Sequence, residues 1–263
     1  MSIATTRAGP RARITAITSG KGGVGKTFVA ANLAAALAAS GQRVLVLDAD
    51  LGLANLDVVL NLFPKITLHD VFTGVRTIDE ALTEVSGGFT VLLAGSGLVE
   101  YSRLTSDVRE MLVESIATVA PQFDHVLLDT GAGISDVVLY TVSLADDVLV
   151  VATPEPTSLT DAYATIKVLA STQGRRAIRL VVNQKLPGND GRSVRNQLQL
   201  VVDRYVSPGL DAPIAIELLG EVPTDDAVRE AVRRRQLLHE CYPGSPAAQA
   251  IAAVATRMVQ GSG

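Results

Sequence analysis

One stretch constrains this chain more than any other. Residues 20–27 read GKGGVGKT, a G-x-x-x-x-G-K-[ST] pattern that follows an apolar run and opens a helical one. Gly20, Gly22, Gly23 and Gly25 let the backbone curl until successive N–H groups, Val24's among them, converge as an anion nest free of side chains. The following helix adds its positive N-terminal end. Lys26 is positioned to neutralise β- and γ-phosphate charge, and Thr27 to offer a hydroxyl to Mg²⁺. A strand that turns through such a loop into a helix is the first half of a βαβ unit, so the chain must build an α/β fold. Lys21 is a second lysine in the same loop, either a solvated charge or a further phosphate contact. Only five of the 23 basic residues are lysines, and two of them stand here. A compact ammonium suits a phosphate nest better than a guanidinium fork.

The rest of the chain agrees. Short β-branched runs occur at residues 14–18, 44–47, 91–93, 126–128, 148–151 and 180–182, with a weaker one at 216–222. Between them, Val29, Leu33 and Leu37 fall at i, i+4 and i+8 on one helix face, and residues 108–119, 135–144, 160–169 and 195–205 read as helices too. Alternation of this kind predicts a mostly parallel central sheet of about seven or eight strands with helices on both faces. The composition, 48% hydrophobic and 19% charged, supplies a core and excludes intrinsic disorder. With 4% aromatics and no Trp, that core must be Ala, Val, Leu and Ile, which disfavours an aromatic-rich binding module. No repeat or long linker divides the chain. The expectation is one domain over residues 13–260 behind a short mobile arm, residues 1–12.

Several classes drop out. A lone cysteine, Cys241, excludes an internal disulfide, a CxxC redox pair and a multi-cysteine zinc site, and reads as an inert, partly buried thiol. No run of ~18 apolar residues suggests a spanning helix. The opening MSIATTRAGPRAR has arginines but no apolar segment behind them, unlike a secretory signal. A cytoplasmic protein is expected. The net charge of −4 gives no general drive towards nucleic acid or an anionic membrane, although a local patch can still supply one.

Strand ends carry the remaining chemistry. Asp48, Asp129 and Asn183 each follow an apolar strand, which gathers them with the glycine loop at the carboxyl edge of the sheet, where open α/β folds bind ligands. Period-two spacing puts Asp48 and Asp50 on one side if the backbone stays extended. Each aspartate can instead begin or cap a turn, and Asn at a strand end is common without function. Asp57 reads as an N-cap or structural residue.

The loop GKGGVGKT, with Lys21 at its start, resembles the deviant Walker-A motif of the MinD/ParA ATPase superfamily. The resemblance runs from about Ile14 to Met258 and implies a P-loop NTPase fold, ATP or ADP with Mg²⁺, and a homodimer in the ATP-bound state. It implies that Lys21 reaches the partner's phosphates, that Lys26 and Asp50 serve hydrolysis, and that Asp50 positions the attacking water. Thr27, Asp48 and Asp129 take the Mg²⁺ side, Asp129 as the Walker-B residue acting through water. The glycine content of DTGAGIS, residues 129–135, suits a switch that shifts with the γ-phosphate. Asn183 corresponds to the adenine-contacting asparagine, Val222 and Pro223 to backbone flanking the base, and Glu155 to a residue that meets the partner's nucleotide.

Within that superfamily, DADLGLANLDVVL, EPTSLTDAYATIK and VPTDDAVREAVRRRQLLHECYPGSPAAQAIAAVA look like the FlhG/FleN regulators of flagellar number. That branch implies slow ATP hydrolysis, a flagellar transcriptional activator and an SRP-type GTPase as partners, and peripheral attachment at the inner face of the membrane. Two features depart from it. MSIATTRAGPRAR does not resemble the segment with which some members stimulate the GTPase. The last helical pattern has Ile251, Val254 and Met258 on one face but only Arg257 as a basic residue, which suits a helix docked on the domain rather than one lying on a membrane. Arg229, Arg233, Arg234 and Arg235 form a basic cluster that Glu230 can partly neutralise through Arg234, or that meets DNA or a partner. A ParA-type DNA partition ATPase and a MinD-like membrane-associated ATPase are the rival readings. An iron–sulfur relative of the same fold needs more thiolates than one cysteine per chain supplies.

Overall fold

The strand that feeds the glycine loop, β1 (Arg13–Ser19), leads into α1 (Lys26–Ala39) and β2 (Val44–Ala49) in a computed structural model that describes residues 11–51, 55–95, 105–188 and 190–260. Three short helices follow, α2 (Leu56–Val59), α3 (Leu68–Phe72) and α4 (Ile78–Ala81), then β3 (Leu82–Glu84), β4 (Thr90–Leu92) and α5 (Ser106–Val119). Next come β5 (His125–Ala132), α6 (Asp136–Ser143), β6 (Asp147–Ala152), α7 (Pro156–Gln173), β7 (Ala177–Lys185), α8 (Gly191–Tyr205) and β8 (Ala215–Pro223). The described chain closes with α9 (Asp226–Arg234), α10 (Leu238–Cys241) and α11 (Pro246–Gln260). Most of the expected mobile arm, residues 1–10, lies outside the described residues, as do residues 52–54 of the DADLGLANLDVVL stretch. Arg11 and Ala12 belong to the fold rather than to an arm: Ala12 is buried and Arg11 pairs with Asp146 at 3.7 Å.

The eight strands form one sheet in the order β3-β4-β2-β5-β1-β6-β7-β8. Every pairing is parallel except β3 with β4. Here β1 lies between β5 and β6, and the chain leaves it towards β2 on one side while β6 onward builds the other, so a crevice opens at its carboxyl end. The antiparallel edge strand β3 was not legible, because three residues, LTE, are too few to show alternation.

Two apolar layers sandwich the sheet. Ile14, Ala16, Leu45, Leu47, Val126 and Leu128 face α5, α6, α7 and α8, whereas Ile17, Val44, Val46, Leu127 and Leu149 face α1 and α11. The predicted face of α1 is buried as expected, but Ala30, Ala31, Ala34 and Ala35 are buried as well. Alanines let this helix be enclosed all round, between the sheet and α11, which a one-sided periodicity does not reveal. Its one buried polar side chain is satisfied at both ends: Asn32 Nδ2 donates to the Phe28 carbonyl at 2.9 Å, and Oδ1 accepts from Leu238 N–H at 2.7 Å. In α11, Ile251, Val254 and Met258 are buried against this layer, so the helix is docked on the domain.

The outer rim of β8 is occupied by side chains. Gln199 Nε2 donates to the Ile214 carbonyl at 2.8 Å while its Oε1 accepts from Ile216 N–H at 2.9 Å. Arg195 Nε donates to the Ile216 carbonyl at 2.9 Å, and Arg257 Nη1 to the Leu219 carbonyl at 2.6 Å.

Candidate functional site

The glycine loop sits at the sheet's carboxyl edge and α1 starts directly from it. Gly25 stands at the N-cap with φ of 90° and offers no side-chain cap, so the first N–H groups of the helix are left to face what the loop encloses. A side chain at Gly25 would also come within 2.5 Å of Asn183 Nδ2. Gly20 answers a different demand, since a Cβ there would lie 2.1 Å from the Asp161 carbonyl of α7. The loop lines one end of a cavity of about 1530 Å³ that continues past Asp50, Gly131 and Glu155 to Asn183, Pro223 and Val228. It is roomy enough for a phosphorylated nucleoside and for part of a second molecule.

Charges are arranged around the loop. Lys26 lines the cavity; burial lowers its pKa, while Asp129 and Asp50 pull it back up. Asp129 is buried beneath, and burial pushes its pKa up to about 6 against the opposing effects of the Thr27 hydroxyl bond and Lys26. Its Oδ1 is buried with no hydrogen-bond partner. An orphaned carboxylate oxygen beside a threonine hydroxyl is a pair of oxygen ligands that fits a hard divalent cation with water in its shell.

Asp48 and Asp50 do not behave alike. The strand ends at Ala49, so the extended backbone that would keep them on one side stops there. Asp50 lines the cavity, close against Gly131. Asp48 is buried, in register with Asp129 on the neighbouring strand, and its two oxygens accept backbone N–H groups from Asp50 and Leu56, each at 3.2 Å. Burial, then the Asp129 charge, raise its pKa to about 8. The side chain expected on the Mg²⁺ side thus staples both ends of the loop that carries Asp50.

Lys21 is not part of the cavity's lining but is tied to its rim. Its Nζ donates to Glu155 Oε2 at 2.8 Å and Thr157 Oγ1 at 2.9 Å, at the start of α7. The two residues expected to meet a partner's nucleotide are therefore bonded to each other. Asn183, expected at adenine, lines the cavity but also donates from Nδ2 to the Val24 carbonyl at 2.7 Å, bracing the loop. Of the other pair, Pro223 lines the cavity and the Val222 side chain is buried in the core.

Sequence reasoning missed two contributors. Gln184 takes a left-handed backbone, φ of 54°, beside an irregularity in the β7–β8 pairing, and its Nε2 donates to the Gly23 carbonyl at 3.4 Å. Nothing in LVVNQ signals a positive φ at a glutamine. Thr157 was within a quoted stretch, yet a threonine one residue past a proline carries no signal of its own. On α9, Arg229 pairs with Asp226, and Glu230 pairs with both Arg233 and Arg234, so the arginine cluster is largely self-compensated. Cys241 is half-buried, with Sγ 3.2 Å from Gln236 Oε1.

Known proteins share this architecture. The sequence model of the ParA family, described as NUBPL iron-transfer P-loop NTPase, matches residues 11–259. Antiactivator FleN of Pseudomonas aeruginosa is 40% identical over 246 residues, covering 94% of this chain and 86% of that protein. Flagellum site-determining protein YlxH of Helicobacter pylori is 31% identical over 246 residues, covering 93% of this chain and 81% of its own length. The solved structure of septum site-determining protein MinD from Pyrococcus horikoshii, complexed with Mg-ADP, is similar with a TM-score of 0.77 and 29% identity over 96% of this chain and 98% of that one.

Proposed function

The chain belongs to the ParA/MinD family of P-loop NTPases, and on that premise we propose that it is an ATP-driven dimerisation switch regulating flagellar number or placement. The observation that carries this reading is the position of Lys21, a loop lysine bonded to Glu155 at the cavity's rim, while Lys26 and Thr27 line the cavity above the buried Asp129.

In this reading the loop N–H groups and Lys26 bind the phosphates, and Asp50 orients the attacking water. Thr27 and Asp129 would hold Mg²⁺, which would supply charge neutralisation at the phosphates. Asp48 keeps Asp50 in place through the loop it staples. Asn183 braces the loop and meets adenine with the remainder of its amide, beside Pro223. On dimerisation Lys21 leaves Glu155 for the partner's phosphates, and Glu155 becomes available to the partner's nucleotide. Turnover is slow because the nucleotide state is the signal.

The effectors are a flagellar transcriptional activator, in keeping with the name of the Pseudomonas relative, and an SRP-type GTPase. Self-compensation of the α9 arginines weighs against a DNA partition role, and the docked α11 against a membrane-inserted one. Among the described residues no helix is long and apolar enough to cross a membrane. The iron-transfer chemistry in the family description is not carried over, because one half-buried cysteine per chain provides no thiolate set.

The test is the mass of Asp50→Ala in solution. A dimer with ATP and Mg²⁺, a monomer with ADP, and capture of the activator by the ATP form support the switch. A monomer in every nucleotide state overturns it. Counting flagella per cell after deletion, with and without complementation, tests the flagellar assignment separately.

A further inference from the structure

A second cleft, about 650 Å³, opens at the β8 edge of the sheet between α8 and α11, and nucleotide chemistry does not use it. Three arginines line it: Arg192 and Arg195 from α8, and Arg257 from α11. In a chain of net charge −4, nine arginines pair with carboxylates, but none of these three forms an ion pair with a described residue. The two carboxylates that share the cleft are engaged by cations of β7: Glu217 by Arg179 at 3.6 Å and Glu221 by Lys185 at 3.4 Å.

Two of the guanidinium groups are held in place from behind. Arg195 donates to the Ile216 carbonyl and to Asn196 Oδ1, each at 2.9 Å, and Arg257 donates to the Leu219 carbonyl. Each guanidinium has five N–H donors, so both retain donors after these bonds, already oriented. Gly220 lies in the lining, and a Cβ there would come within 2.3 Å of Val254 Cγ2, so α11 packs directly against β8 beside the cleft.

The occupant's class follows from what the cleft offers. The β8 rim groups Ile214 O, Ile216 N, Ile216 O and Leu219 O are taken, so a peptide cannot add there as a further strand. What remains is a set of planar donors that match the tetrahedral oxygens of a phosphate group. We propose that this cleft is a second anion site, built by Arg192, Arg195 and Arg257, for a small soluble phosphate-bearing molecule. It goes beyond the ATPase reading and stands without it.

Inorganic pyrophosphate is the probe, titrated calorimetrically into the full chain with the glycine loop saturated by ADP and Mg²⁺. The expected result is saturable binding to one site, weakened at least about tenfold by Arg192→Gln, whose side chain makes no hydrogen bond to a described residue and can be removed without disturbing the fold. Arg195→Gln combined with Arg257→Gln abolishes it. Retained ADP affinity in each variant shows that the domain is intact. Absence of saturable binding, or unchanged binding in Arg192→Gln, overturns the proposal. So does a chain that ignores pyrophosphate but sediments with phosphatidylglycerol vesicles through these arginines, which would make the headgroup at a surface the ligand.

Discussion

Lys21 and Glu155 are bonded within one chain, Nζ to Oε2 at 2.8 Å, although the resemblance assigns both to a neighbour's nucleotide. Both side chains are more than a third exposed, at 37% and 61%, so solvent screens the pair. Such contacts contribute about 0–1 kcal/mol. The lysine is parked rather than locked, so this pair is no barrier to the cross-subunit role proposed for it.

Lys21→Ala is therefore expected to keep nucleotide affinity within about threefold, a change of less than 1 kcal/mol, while dimerisation and ATP turnover are lost. Light scattering and phosphate release measure both. Parental turnover from a monomeric Lys21→Ala protein would remove the cross-subunit role.

Asp48→Ala leaves the Asp50 and Leu56 amides without their shared acceptor, a cost of about 1–3 kcal/mol to the local structure. Hydrogen exchange at those two amides should quicken at least about tenfold, and turnover should fall with ADP binding preserved. Asp48→Asn, which offers one oxygen acceptor and an NH₂ that repels the other donor, should lie between. A large loss of Mg²⁺ affinity with unchanged exchange would return Asp48 to the cation.

The paired carboxylates set a pH dependence. Asp129 and Asp48 have folded-state pKa values raised to about 6 and about 8, above the ordinary aspartate value, so the fold holds their protons more tightly than the unfolded chain does. Their stabilising protonation is complete below about pH 4 and is lost as pH rises through both values. With no nucleotide or Mg²⁺, the melting temperature should fall between about pH 5 and about pH 8.5, apart from other titrations. Adding Mg-ADP compensates the ionised Asp129, so the ligand-induced rise in melting temperature should grow over the same range. A rise that is flat with pH would mean that the cation does not meet these groups.

Asn32 joins α1 to α10 through Leu238 N–H, so Asn32→Ala should lower unfolding free energy by about 1–3 kcal/mol. Urea denaturation measures the loss. A neutral result would show that water replaces the amide.

The sheet, its parallel sense and the glycine loop could be read from residues because each is written locally: a β-branched run, a turn that only glycines close, a helix behind it. The site was legible as a set of residues rather than as contacts. Asp48 and Asp50 share a spacing, and only the end of β2 at Ala49 separates their roles. Asn183 and Val24 are far apart in sequence, so no local pattern announces that one braces the other. Gln184 is less visible still, since its left-handed backbone follows from strand pairing and not from residue type.

The rim of β8, closed by Gln199, Arg195 and Arg257, bears on how the protein tolerates crowding. Open sheet edges from two molecules zip together at a rate that climbs with concentration, without regard to any signal. Sealing this edge silences that route there. Under the proposed switch, raising the amount of protein would then not imitate the nucleotide by pairing at this edge.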